Sequence, residues 1–173
     1  MHCMLDLETL DTKPTALILS IGAVMFDKDC RSIEEFYGII ELDEPTMSNF
    51  TISASTLGWW FKQEEAIKEF ARGGQPLKVV LSNFSYWFKQ NKGKELWGNG
   101  ATFDNVILKN AYDVSKMPTP WSYKDDCCYR TIIGRYPKLH AEFSGVRHNA
   151  LMDAIFQADY LVELNNSKNL NIL

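Results

Sequence analysis

Asp6 and Glu8 stand two residues apart in the run MLDLETL at positions 4–10. In an extended strand, residues two apart share a face, so the two carboxylates project together while Leu5 and Leu7 turn the other way. Like charges held side by side repel unless a proton or a cation sits with them, which makes a hard divalent metal a natural partner. With 22 acidic residues in the chain, a D-x-E triplet alone arises readily by chance, and a solvated strand edge is the plainer alternative. Its setting in an otherwise apolar strand marks it out.

Three further places carry chemistry. Asp104 follows the Gly-rich bend in WGNGATFD at positions 97–104, a way of presenting a carboxylate at the edge of a sheet. Its plain alternative is an acid that satisfies N–H groups in a first helical turn. His148 and Asp153 stand in HNALMD. With Asn149 as N-cap, His148 lies just outside a helix that carries Asp153. Were both helical, five residues at about 100° each would put them on different faces, so a loop histidine swinging toward a helix-borne acid is the better arrangement. Trp59-Trp60-Phe61 opens an amphipathic helix. Adjacent indoles cannot both face the core, so one is expected buried and the other open, as a stacking platform or a subunit contact.

These residues need elements to hold them. His2–Thr9, Ala16–Phe26 and Glu35–Leu42 read as strands of an antiparallel meander, with turns at 11–14 and 27–29. Helices are predicted over Ser55–Arg72, Pro76–Lys92, Phe103–Lys116 and Asn149–Asn165, with a short strand at Lys94–Gly98. The segment Asp126–Tyr136 is open between strand and helix. Strands followed by alternating helices and short strands make a mixed α/β sheet.

Composition bounds the rest. The 173 residues fit one domain, 46% hydrophobic and 23% charged. A net charge of −4 argues against a protein that holds nucleic acid by bulk basic charge. The apolar stretch Ala16–Phe26 is shorter than the about 20 residues a bilayer span needs. Asp6 and Glu8 interrupt what a secretory signal would keep apolar, and no CxxC or zinc-ligand spacing appears among four cysteines and three histidines. Reduced thiols in a cytoplasmic protein are the expectation, with no membrane. No GxxxxGK[ST] or GxGxxG phosphate loop is present.

Taken in order, Asp6-x-Glu8, Asp104 after its bend, and His148-x₄-Asp153 resemble the DEDDh 3′–5′ exonucleases, over residues 4 to about 164. A narrower likeness lies in MLDLETL (4–10), STLGWWFKQ (55–63), WGNGATFDN (97–105) and RHNALMD (147–153). These resemble the branch of phage DexA-type exonucleases and an adenylate-preferring exoribonuclease of mycobacterial type. In that branch an acid is closely followed by Arg-Thr, whereas here Cys127 and Cys128 intervene between Asp126 and Arg130-Thr131.

The resemblance implies a ribonuclease-H-like exonuclease fold, a mixed central five-stranded sheet flanked by helices, with residues 1–173 as one catalytic domain. It implies two Mg²⁺ or Mn²⁺ ions held by Asp6, Glu8, Asp104 and Asp153, and His148 as general base. Leu10 resembles a wedge against the terminal base, and Thr9, Trp60 and Asn99 are the other expected substrate contacts. The expected partner is nucleic acid with a free 3′ end, RNA or single-stranded DNA, and a homodimer is compatible. Two alternatives stay open: a phosphodiesterase of dinucleotides or nucleotide conjugates, and a non-catalytic binding module on the same fold. Four ionised ligands would account for four of the acidic charges, so the −4 balance says little against a nucleic-acid substrate.

Overall fold

The computed structural model describes residues 1–29, 33–70, 73–145, 147–170 and 172–173. Its centre is a five-stranded sheet in the order β3-β2-β1-β4-β5. The strands are β1 (His2–Thr9), β2 (Ile18–Phe26), β3 (Glu34–Ile39), β4 (Glu95–Gly98) and β5 (Asp126–Cys128). β1, β2 and β3 form the expected antiparallel meander, while β4 and β5 run parallel to β1. Parallel neighbours need crossover connections, and helices supply them.

The helices are α1 (Glu44–Ser48), α2 (Ala54–Trp60), α3 (Glu64–Phe70), α4 (Leu77–Gln90), α5 (Asp104–Ser115), α6 (Tyr129–Ile133) and α7 (Ala150–Ser167). The two faces of β1 send alternate residues into separate cores. Cys3, Leu5 and Leu7 pack with Val80, Leu81 and Phe84 of α4 and with Ile107, Leu108 and Ala111 of α5. Met4, on the other face, packs with Val24, Trp97 and the α7 residues Ala154, Ala158 and Leu161. A third cluster of Leu10, Leu17, Leu19, Trp60 and Ala66 lies under α2 and α3.

Two expectations change. The single helix over Ser55–Arg72 is two, broken at Phe61–Gln63, and its last two residues lie outside the described ones. On one continuous helix Ala66 would sit about 120° round from Trp60, yet both enter the third cluster, so the chain turns between them. Asp126–Tyr136 is strand and helix in succession. The short α1 carried no periodic signal; it is set by Asp43, whose Oδ1 accepts from Thr46 N at 2.8 Å. Cys30 lies outside the described residues.

Candidate active site

The site forms at the carboxyl ends of β1 and β4, the edge at which open α/β sheets bind their ligands. Asp6 and Glu8 share the β1 face that looks toward α7, opposite Gly22 and Ser20 of β2. Asp6 is half-buried and Glu8 is 8% exposed. A register irregularity falls between Glu8 and Thr9, where a bulge re-aims the chain as it leaves the sheet.

Asp104 arrives from the parallel neighbour. β4 ends at Gly98, paired with Leu5, and the bend beyond it closes through Phe103 N and Asp104 N on the Gly100 carbonyl, at 2.7 and 2.9 Å. A Cβ at Gly98 would meet Asn105 Oδ1 at 2.3 Å and Asp104 Cβ at 3.0 Å, so the first turn of α5 fits only over a glycine. The Asp104 carboxylate, 2% exposed, accepts from Gly100 N at 3.0 Å and Leu7 N at 3.3 Å. It therefore does more than serve its own helix end: it ties α5 to β1 between Asp6 and Glu8.

α7 brings the last pair. Asn149 caps the helix, its Oδ1 accepting from Met152 N at 3.1 Å. His148 lies outside the helix at φ +63°, and its N–H donates to Asp153 Oδ2 at 3.0 Å. The helix starts directly on the sheet: a Cβ at Gly22 would fall 2.1 Å from the Ala150 carbonyl carbon. Glu8, His148 and Asp153 each offer a ligand atom, all within 4.8 Å of one another.

Electrostatics join the four acids. Burial holds Asp6 well above the usual carboxylate range, with the charges of Asp104, Glu8 and Asp153 adding to it and a hydrogen bond from Gln157 opposing it. Asp104 is pushed up to about 6 by burial, against the pull of the Gly100 and Leu7 N–H groups and of nearby Arg130. Asp153 is raised by burial and partly restored by the His148 N–H and the charges of His148 and Arg147. Carboxylates gathered this way resist ionising together, and hard divalent cations suit such an oxygen donor set.

Beside Glu8 opens a cleft of about 380 Å³, lined by Thr9, Thr12, Thr56, Trp59 and Phe103 among others. The two indoles divide as expected, but the open one is Trp59. Trp59 is 39% exposed, and its ring stands edge-on to His148 with centroids 4.7 Å apart. Trp60 also borders the cleft but is 1% exposed, its Nε1 donating to the Thr9 carbonyl at 2.8 Å. Leu10, at 7% exposed, packs into the same cluster as Trp60 rather than standing out as a wedge. Thr9 lines the cleft, while Asn99 is half-buried on the bend and does not. Sequence reasoning missed Gln157, although its place four residues after Asp153 on one helix was a usable signal. It also missed Phe103, which adds an aromatic wall to the cleft.

The model of the 3′–5′ exoribonuclease Rv2179c-like domain family matches residues 1–164. No curated protein matches the chain. Among solved structures, Escherichia coli exonuclease I in its zinc-bound complex with single-stranded DNA superposes with a TM-score of 0.73 at 13% identity, covering 97% of this chain and 41% of that one. A product-bound exonuclease I gives 0.69 at 14% identity, over 98% and 45%. Schizosaccharomyces pombe Pop2p, with Mg²⁺ and Mn²⁺ bound, gives 0.64 at 11%, over 96% and 84%. At these identities the likeness shows the fold, that of the ribonuclease-H-like nucleases. The chain spans less than half the length of the exonuclease I chains it matches.

Proposed function

The chain belongs to the 3′–5′ exoribonuclease Rv2179c-like domain family, and from that premise we propose that it is a 3′–5′ exonuclease releasing 5′-mononucleotides from RNA or single-stranded DNA. The whole chain acts as one catalytic domain. The observation that carries this is the convergence of Asp6, Glu8, Asp104 and Asp153 with a histidine outside the helix, at the mouth of an aromatic cleft.

The donor set fits a pair of Mg²⁺ or Mn²⁺ ions held by those four acids. Such ions, when bound, supply charge neutralisation at the scissile phosphate and a more acidic water. The residues do the rest. His148 takes a proton from the attacking water as general base, held toward the acids by its N–H bond to Asp153. Water oxygen adds to phosphorus, the bond to the 3′-oxygen breaks, that oxygen takes a proton from solvent to become a hydroxyl, and a nucleoside 5′-monophosphate leaves a chain one residue shorter. Trp59 offers its open face to the terminal base, with Thr9 as a polar contact and Leu10 and Trp60 supporting the floor from the core, while Asn99 on the bend stands apart from that contact.

Matched RNA and DNA oligomers of graded length, labelled at the 5′ end, test this with Mg²⁺, with Mn²⁺ and with chelator. A divalent-dependent ladder shortening one nucleotide at a time is expected. Hydrolysis confined to dinucleotides would support the phosphodiesterase alternative, and no hydrolysis of any length the binding module.

A further inference from the structure

Gln157 is 5% exposed on α7, one turn beyond Asp153 and on the same side of the helix. Its Nε2 donates to Asp6 Oδ1 at 2.8 Å, across the gap between α7 and β1. A carboxylate that ligates a cation only accepts hydrogen bonds, and the amide presents its NH₂ end to it. That leaves Oε1 buried, with no hydrogen-bond donor among the described residues.

A buried amide satisfied at one end only is a poor contribution to folding. The helix face around it is filled by Ala154, Ala158 and Leu161, and an apolar side chain of the same length would pack there without an unpaired carbonyl. Packing therefore does not account for a glutamine at this position. Its one bond goes to the most crowded acid of the cluster, whose neighbours Asp104, Glu8 and Asp153 all bear on it. Without a fixed donor, that repulsion and the freedom of two χ angles would let the Asp6 carboxylate turn away.

We infer that Gln157 is a positioning residue for Asp6, holding one carboxylate oxygen so that the group faces the divalent cation in a preset orientation. Groups that hydrogen-bond a ligating carboxylate set its direction and basicity, and losing one costs about 10–100-fold in metal affinity or activity. The bond depends in turn on the close seating of α7, which Gly22 permits. The inference rests on the cation site of the proposed function.

Gln157→Met keeps the length and shape of the side chain and removes the donor. Mn²⁺ titration of the full chain by calorimetry, with melting in chelator alongside, reads the two roles apart. The variant should melt within about 3 °C of wild type without metal, while its Mn²⁺ dissociation constant rises about tenfold. The Mn²⁺ concentration for half-maximal hydrolysis should rise in step, with the rate recovering at saturating Mn²⁺ and the KM for oligonucleotide unchanged. Should Gln157→Met fail to fold, Gln157→Asn keeps the amide and falls one methylene short of Asp6, and the same shift is expected. An unchanged Mn²⁺ affinity in a folded variant overturns the role. A wild-type chain that takes up no Mn²⁺ is a different failure and removes the cation site itself.

Discussion

The main-chain N–H of His148 donates to Asp153 Oδ2 at 3.0 Å while His148 holds a left-handed backbone at φ +63°. A residue with a Cβ is costly in that region, by about 1–2 kcal/mol relative to its ordinary basin. The carboxylate at the start of α7 compensates by capturing the N–H. Strain of this kind collects where structure serves function. His148→Ala and His148→Gly should both lose most of the hydrolytic rate, since each lacks the imidazole. Yet His148→Gly should be the more stable by about 1 kcal/mol, because glycine enters the left-handed region freely. Urea unfolding of the two variants measures the difference; equal stability would mean that the backbone at 148 is unstrained.

Asp6 and Asp104 are raised on folding, Asp104 to about 6. A carboxyl raised in this way contributes stability that is fully present below its unfolded value, about 3.9, and is lost as pH climbs through the folded value. Without divalent ions the native protein should therefore lose stability from pH 4.5 to 7.5 through these groups. Asp6→Asn removes one of the repelling charges and keeps an oxygen to accept from Gln157. At pH 7.5 in chelator it should be more stable than wild type, with the gap closing near pH 4.5. Saturating Mn²⁺ should reverse the order, since only the wild type gains the full binding free energy. Melting curves at the two pH values, with and without Mn²⁺, check the sign.

Gly22 is opposite Asp6 in the sheet and directly under the first turn of α7. A methyl group there would collide with the backbone at Ala150, so Gly22→Ala must lift the helix start. Overpacking of this sort costs about 1–3 kcal/mol. Because His148, Asp153 and Gln157 all ride on that helix end, activity should fall far more than stability. A variant that retains the wild-type rate would show that the close approach is not needed to assemble the site.

Trp59 and Trp60 make a sharper contrast. Trp60→Phe leaves the Thr9 carbonyl without its indole donor in a buried setting, a loss of about 1–3 kcal/mol. Trp59→Ala removes an indole that is 39% exposed, so stability should change little while the KM for oligonucleotide rises. Paired melting and kinetic measurements on both variants separate the packing indole from the binding one.

Much of this was legible in the chain because period and chemistry agreed. β1 spans His2–Thr9 as expected, its apolar run passing into the alternation Leu5-Asp6-Leu7-Glu8 that turns both acids to one face. Asn149 could be read as a cap, and that alone put His148 outside the helix. What stayed hidden depended on tertiary placement. Nothing local distinguishes Trp59 from Trp60; the choice is made by the third core cluster and by the Thr9 carbonyl. The break at Phe61–Gln63 is likewise set by what Trp60 and Ala66 must both reach. Gln157 looks like an ordinary helix residue until β1 is brought beside it. Gly22 reads as a flaw in a strand until α7 is laid over it.

The acids of β1 and α7 are expected to perform one reaction at a 3′ end. Mononucleotide release from a 3′-labelled RNA oligomer in Mn²⁺ tests it most directly, with wild type, Asp6→Ala and Asp153→Ala side by side. Wild type should release labelled 5′-mononucleotide, and both variants, folded by circular dichroism, should fall by at least about 10³-fold, the scale of losing a group that acts only in the transition state. Folded variants that digest at the wild-type rate would contradict the assignment of the site.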